Sequence, residues 1–222
     1  MSTVIVTGGA SGLGAAVVRR LGESAVSLDI REPGEGIDGE TVDLADAAAV
    51  EQVIERVAER SGGIDGVVTA AGTDACGALA DVPRDAWERV ISVNLLGTVS
   101  VVRTALPHLE RTGGRVVTVA STLGLRAMPD ATAYCASKFG VVGFTRALAA
   151  EMSGRVGVTL LIPGGMNTAF FDGRDEKYKP GADAQLNDPE NVAEAVAFAL
   201  SQPAGCELRE LVITPSMEPS WP

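Results

Sequence analysis

Apolar and polar residues along the chain fall into blocks whose period switches repeatedly between that of a strand and that of a helix. Val4, Ile5 and Val6 make a short branched run closed by Thr7-Gly8, which reads as a buried strand that ends abruptly. From about Ala15 the stretch "AAVVRRLGE" places Val17, Val18 and Leu21 on one face and arginines on the other, as an amphipathic helix requires. A second strand is expected over Val26 to Leu28, and a third in "ETVDL", ending at Asp43-Leu44. "DAAAVEQVIERVAERSGG" predicts a helix with Val50, Val53, Ile54 and Val57 inward, and "IDGVVTAAG" a fourth strand. Two helices follow within "PRDAWERVISVNLLGTVSVVRTALPHLERTG", with Trp87, Val90 and Ile91 expected in the core, and "GRVVTVAST" is strand five. The remainder reads as a long helix, "AYCASKFGVVGFTRALAAEMSG", a sixth strand, "RVGVTLLIPGG", a helix in "DPENVAEAVAFALSQPAG" and a last strand, "RELVITP". Asp188 is placed to cap that last helix, with Pro189 in its first turn.

Strands alternating with helices imply an α/β domain with a parallel sheet covered on both faces and right-handed crossovers. The expected fold is a single Rossmann-like, doubly wound domain over residues 1–222, with about seven mainly parallel strands. In such sheets ligands bind at the carboxyl ends of the strands. The turns after Val6, Leu28, Val68, Val119 and Ile162 are therefore expected to line one crevice.

Composition narrows the setting. The 222 residues suit one core, and 46% of them are hydrophobic. No uninterrupted apolar run reaches the ~18 to 20 residues of a membrane span. The first strand begins almost at once, so no signal peptide and a cytoplasmic location are expected. Cys76, Cys135 and Cys206 are odd in number and widely spaced, which suggests neither a disulfide framework nor a metal site. A net charge of −11 speaks against nucleic acid and anionic membranes as partners.

The turn after strand one, "TGGASGLG", carries Gly8, Gly12 and Gly14 in a G-x-x-x-G-x-G pattern. A strand-to-helix turn aims the free N–H groups of the first helical turn into a small space, where a phosphate fits and Ser11 adds a hydroxyl. The other reading is a tight turn that only allows close helix packing. Asp29 lies 15 residues after Gly14 and 21 after Gly8, the spacing of an acid that holds a ribose. Its charge would repel a 2′-phosphate and so favours NAD over NADP, although Arg31 follows closely. Beyond strand five stands Ser121, and Tyr134 and Lys138 are four apart on the next helix, on one face. An ammonium at ~4 Å with an effective dielectric of ~20 contributes ~4 kcal/mol, on the order of two to three pKa units toward a tyrosinate. Such a pair is also common on ordinary helix surfaces.

The ordered set of "TGGASGLG", Asp43-Leu44, "AAG" at 70–72, Asn94 in "SVNLLG", Ser121, "YCASK" at 134–138 and "PGGMNT" at 163–168 resembles the short-chain dehydrogenase/reductase family. The resemblance covers nearly the whole chain and implies an NAD(P)-dependent oxidoreductase acting on an alcohol or carbonyl; with Asp29 the expected reaction is NAD-dependent interconversion of a secondary alcohol and a ketone. It implies that Ser121 holds the substrate oxygen and Tyr134 exchanges its proton. Lys138 would bind the nicotinamide ribose and lower the tyrosine pKa, and Asn94 would keep a water in a proton relay. Gly8, Ser11, Gly12, Leu13 and Gly14 would carry the phosphates, and Asp29 the adenosine ribose. Asp43 and Leu44 would flank the adenine, with Ala70, Ala71, Gly72, Pro163, Gly164, Met166 and Thr168 completing the cofactor cleft.

Three departures stand out. Thr69-Ala70-Ala71-Gly72 replaces the family's common Asn-Asn-Ala-Gly, with Thr69 as a partial substitute for the lost amide. The segment after Thr168 is short, and the ending "LVITPSMEPSWP" lacks the usual Asp-Gly-Gly. Leu123, Leu125, Met128, Phe170 and Phe171 are expected at the crevice mouth, which suggests an apolar substrate, alicyclic or 3-oxoacyl; packing of a lid or subunit contact accounts for them equally well. Arg126 and Arg174 would suit an anionic group but are also ordinary loop arginines. His108, the sole histidine, is given no role. A homodimer or homotetramer is expected, through Leu95, Val99, Val102 and "FGVVGFTRALA". The alternative function is a non-catalytic dinucleotide-binding or redox-sensing protein on the same fold.

Overall fold

The computed structural model describes residues 3–218. Seven strands join one sheet: β1 (Val4–Thr7), β2 (Ala25–Asp29), β3 (Gly39–Thr41), β4 (Gly66–Thr69), β5 (Arg115–Val119), β6 (Gly157–Pro163) and β7 (Glu210–Ile213). They run in the order β3-β2-β1-β4-β5-β6-β7, and every pairing is parallel. The order reverses between β1 and β4, and in such sheets ligands bind at that switch point, beyond the strands' carboxyl ends.

The strands are short branched runs buried on both faces, as parallel sheets require. Val4 and Val6 face one layer with α1 (Gly12–Leu21) and α6 (Pro189–Leu200). Ile5, Val67, Val116 and Val158 face the other, with α2 (Ala47–Ser61), α4 (Thr98–Thr112) and the far end of α5 (Thr132–Glu151). Helix ends follow local chemistry. Asp46 caps α2 by accepting from Ala49 N at 3.0 Å, and the helix stops at Gly62 in the left-handed region. Asp188 caps α6 from Glu190 N at 3.2 Å, with Pro189 in the first turn.

Four local expectations change. Helix α1 starts at Gly12, three residues before the apolar face begins, because the Ser11 carbonyl already accepts from Ala15 N at 3.1 Å. Strand β3 ends at Thr41; Val42 and Leu44 still turn inward, but only Val42 N reaches the β2 edge, at Asp29 O. The two helices expected over 84–112 form one continuous rod, α3 (Arg84–Ile91) passing into α4 through a widened π turn at Ser92–Gly97. That rod is long and apolar enough to cross a membrane by length and composition, yet Val101, Val102, Ala105 and Leu109 are spent inside the core. Of the three residues expected inward in α3, only Val90 is fully buried. Trp87 is half-buried and donates from its indole to Thr132 Oγ1 at 3.1 Å, which ties α3 to the start of α5, and Ile91 is half-buried too.

Candidate active site

The glycines of the first turn divide into two kinds. At Gly8 (φ +73°) a Cβ would lie 2.8 Å from the Ala71 Cα, and at Gly14 it would lie 2.1 Å from the Gly8 carbonyl oxygen. These two glycines let protein approach protein. Gly12 (φ +53°) differs, since a Cβ there would meet only the Thr168 side chain, at 3.4 Å. Ser11 occupies the N-cap position of α1 without capping it, and no acid lies in the first turn. The positive end of α1 is thus open toward the gap between Gly12 and Thr168. The close-packing reading of the glycine pattern holds at Gly8 and Gly14, whereas Gly12 is not pressed on backbone. Leu13 is buried against the core, so only its backbone faces this gap.

Asp29 ends β2 with its side chain 7% exposed. One oxygen accepts from Ala10 N and the other from Arg31 N, each at 3.0 Å, which fixes the carboxylate at the rim of the glycine turn. The exposed Arg31 guanidinium folds back to donate to Ser11 Oγ at 2.5 Å. Asp43 is held by Ala45 N and by Arg89, whose guanidinium keeps its carboxyl below the usual range. Leu44 is buried beneath the π turn, where a Cβ on Gly97 would come within 2.8 Å of its own Cβ. Ala70, Ala71 and Gly72 follow β4, with Ala71 N bonded to Thr7 Oγ1 at 3.1 Å. Pro163 is the last residue of β6, and Gly164 follows. Met166 turns its side chain toward the core beside α6 rather than into the gap.

At the centre, Ser121 leaves β5 with Oγ accepting from Leu123 N at 3.1 Å. Tyr134 and Lys138 stand one turn apart on α5, the ammonium 5.6 Å from the tyrosine ring centre. Lys138 is 4% exposed and donates to Val119 O at 2.9 Å. Asn94, in the π turn, grips the loop after β4 from both sides: its Oδ1 accepts from Thr73 N at 2.8 Å and its Nδ2 donates to Thr73 O at 2.9 Å. Its second amide hydrogen goes to Ser137 Oγ at 3.1 Å. Gly72 keeps this floor open, since a Cβ there would sit 3.7 Å from Asn94 Oδ1 and 3.8 Å from Lys138 Nζ.

The electrostatics depart from the expectation that Lys138 lowers the Tyr134 pKa. Burial pushes the Tyr134 hydroxyl up to about 12, and the opposing hydrogen bond with Ser121 is smaller. Burial likewise draws Lys138 down to about 8. The lysine spends its hydrogen bond on the Val119 carbonyl rather than on the phenol, so desolvation outweighs the charge pair.

The mouth of the crevice joins expected and unexpected residues. Phe170 packs on Tyr134 with ring centres 5.6 Å apart, and Phe171 meets Phe170 edge-on at 5.7 Å. Leu123 is half-buried, Leu125 leans into the core beside Val141 and Val142, and Met128 is exposed. Arg174 is no solvated loop arginine: its side chain is 14% exposed, lies 4.6 and 4.8 Å from the two phenyl rings and pairs with Asp74 at 3.0 Å. Arg126 is exposed, as an ordinary loop arginine would be. Asp130, at φ +58°, accepts from Tyr178 OH at 3.1 Å and from Gly77 N through its carbonyl, so three loops are tied together over Tyr134. Asp74, Asp130 and Tyr178 carried no periodicity or motif that marked them in the sequence.

A family model described as short chain dehydrogenase matches residues 2–179. The chain belongs to that family. It is 32% identical over 220 residues to the meso-2,3-butanediol dehydrogenase of Serratia marcescens, covering 90% of this chain and 88% of the relative. Its fold is similar to the ligand-free aldohexose dehydrogenase of Thermoplasma acidophilum, with a TM-score of 0.86, 25% identity and coverage of 96% and 92% of the two chains. An alcohol dehydrogenase from the archaeon Thermococcus sibiricus, solved with 5-hydroxy-NADP, matches with a TM-score of 0.83 at 25% identity over 96% and 95%.

This member of the family is a short-chain oxidoreductase, and the family binds a nicotinamide dinucleotide. The residues present fit that group. The uncapped end of α1, the bare Gly12 opposite Thr168 and the fixed Asp29 carboxylate offer a cradle for its phosphates and a ribose. Two departures from the family pattern have structural outcomes. Thr69 does not replace the lost asparagine, for its Oγ1 is buried without a hydrogen-bond partner. The atypical ending brings Glu218 back over the loop after β6, where it accepts from Gly165 N at 2.9 Å. Residues 219–222 lie outside those described. His108 is a buried core histidine, 3.3 Å from Glu55 and 2.6 Å from Arg111, remote from these residues in the helix layer.

Proposed function

We propose that this short-chain dehydrogenase interconverts a secondary alcohol and a ketone with NAD, using Tyr134 to exchange the proton. The observation that carries the reading is the convergence of Tyr134, Ser121 and Lys138 beside the open end of α1. Bound in the cleft, the dinucleotide supplies or accepts the hydride. Ser121 is oriented by the Leu123 N–H with its hydroxyl against the Tyr134 phenol, so that both hydroxyls can meet the substrate oxygen. Tyr134, with its pKa raised to about 12, is protonated at neutral pH and suited to donate to a ketone. Oxidation of the alcohol is therefore expected to gain with rising pH. Lys138 lies under this proton path, fixed by the Val119 carbonyl. Asn94 has both amide hydrogens engaged, so its side chain positions the Gly72-Thr73 loop.

Asp29 supports NAD, because its fixed negative charge faces the place a 2′-phosphate would take. Arg31, folded onto Ser11, is the one opposing charge in that corner. Phe170 beside Tyr134 supports an apolar carbon skeleton, alicyclic or 3-oxoacyl. A homodimer or homotetramer remains our reading through Leu96 and Phe139, which are 55% and 45% exposed, rather than through Val102, which is buried. The unpaired cysteines 76, 135 and 206 favour a reducing, cytoplasmic setting. The test is Tyr134→Phe, which should cut turnover by about 10² to 10⁴ while NADH still binds. Unchanged turnover would overturn the assignment, and side-by-side titration with NADH and NADPH decides the cofactor.

A further inference from the structure

The catalytic hydroxyl is overlooked by a pair of opposite charges that the reaction itself does not require. Asp74 and Arg174 are nearly buried, with side chains 8% and 14% exposed, and Asp74 Oδ2 lies 3.0 Å from an Arg174 terminal nitrogen. That nitrogen is buried and makes no hydrogen bond, so the contact is one of charge with the N–H aimed elsewhere. Asp74 is anchored through Oδ1 to Ala75 N at 2.7 Å and receives the Cys76 thiol on Oδ2 at 3.2 Å, which still leaves carboxylate lone pairs unused. The guanidinium is held in place by both phenyl rings, and Phe170 in turn touches Tyr134. The pair thus stands one phenyl ring away from Tyr134.

We propose that Asp74 and Arg174 together bind a second hydroxyl of the substrate, next to the carbon that reacts, so that vicinal diols and the matching hydroxyketones are preferred over simple alcohols. The inference rests on Tyr134 as the proton-exchanging group and narrows the substrate of that same site. A hydroxyl both donates and accepts, so it gives its hydrogen to Asp74 and takes one from Arg174. A substrate carboxylate would suit Arg174 but meet the Asp74 anion, with Asp130 adding negative charge nearby. A bare alkyl group would leave the buried Arg174 nitrogen without an acceptor, which is the basis on which polar sites reject analogues lacking the hydroxyl. The apolar skeleton rests on Phe170 and the hydroxyl on the charged pair, so the two features read different parts of one molecule.

The experiment compares kcat/KM for cis- and trans-1,2-cyclohexanediol, cyclohexanol and 2-hydroxycyclohexanecarboxylate, with NAD and NADP each supplied. Wild type should prefer one diol over cyclohexanol by about 30-fold or more. Arg174→Met, which keeps the apolar stem against the rings, and Asp74→Asn should each reduce that ratio by about tenfold. Equal turnover of diol and cyclohexanol, a preference for the hydroxy acid, or a ratio unchanged in both variants would overturn the proposal. If no alcohol is oxidised and no ketone reduced, the proton-exchange reading has failed, and 2-hydroxycyclohexanone and cyclohexanone are then compared as ligands by saturation-transfer NMR. Selective binding of the hydroxyketone, lost in Arg174→Met, would uphold the charged pair as a hydroxyl site; binding without selectivity would overturn it.

Discussion

The two sides of the crevice are built from different materials. The side proposed for the cofactor is built of backbone: the end of α1, Gly8 and Gly14 pressed against neighbouring main chain, and Gly12 facing the Thr168 side chain. The side proposed for the substrate is built of side chains drawn from separate loops, with Asp74 and Arg174 a hundred positions apart in sequence and Asp130 tied to Tyr178. Backbone geometry is demanded by any dinucleotide, whatever the alcohol. Side chains on loops are free to change with the substrate, because the sheet beneath holds its shape without them.

The sharpest way to break this contrast is Gly14→Ala. Its Cβ would stand 2.1 Å from the Gly8 carbonyl oxygen, a backbone atom that cannot swing aside. Overpacking of this kind costs about 3 kcal/mol or more. For a chain of this size that is about 6 to 12 °C in Tm, accompanied by loss of NADH binding, as calorimetry and a fluorescence titration would read. An unchanged Tm would mean that the turn is not locked by close packing.

Gly12→Ala sharpens the division between the two kinds of glycine. Here the added methyl meets only Thr168, and the strain is that of one left-handed residue, roughly 1 to 2 kcal/mol. NADH affinity should fall about tenfold or more while Tm drops by less than in Gly14→Ala. If affinity is preserved, the gap between Gly12 and Thr168 is not where the phosphates rest.

Lys138 lies between the two sides, and its effect is the smallest and depends on pH. Its pKa of about 8 in the folded protein is below the ordinary 10.5, so between those values the unfolded chain holds the extra proton. The lysine therefore opposes folding most at pH below 8 and progressively less as pH rises to 10.5. Lys138→Met should lose this dependence, so that the variant's stability relative to wild type is greater at pH 7.5 than at pH 9.5 in urea titrations. A difference that does not vary with pH would show that the ammonium is not desolvated.

Much of this was readable before any coordinates. Branched runs such as Val4-Ile5-Val6 and inward faces such as Val50, Val53, Ile54 and Val57 specify strand and helix because each pattern has a single period, and the alternation of the two dictates a parallel sheet. The Tyr134–Lys138 spacing was legible for the same reason, four residues on a helix being one face, whereas Asn94 was marked only by the resemblance to the short-chain dehydrogenase family. The errors fall where long-range contact overrides local pattern. Trp87 is apolar enough for the core, yet its indole hydrogen is drawn to Thr132. Two helices became one because a π turn absorbs the extra residue at Asn94 without breaking the rod.

The sequence by itself thus determined the layered sheet, the glycine turn and the one-turn spacing of Tyr134 and Lys138, since each depends on spacing between near neighbours. Only the tertiary structure decided which glycines press on protein and which face the cleft, because that depends on Ala71 and Thr168 arriving from elsewhere. It also decided where the Lys138 ammonium goes, onto the Val119 carbonyl. The meeting of Asp74 with Arg174 belongs to it as well, for no local rule relates two loops whose approach is fixed by the sheet between them.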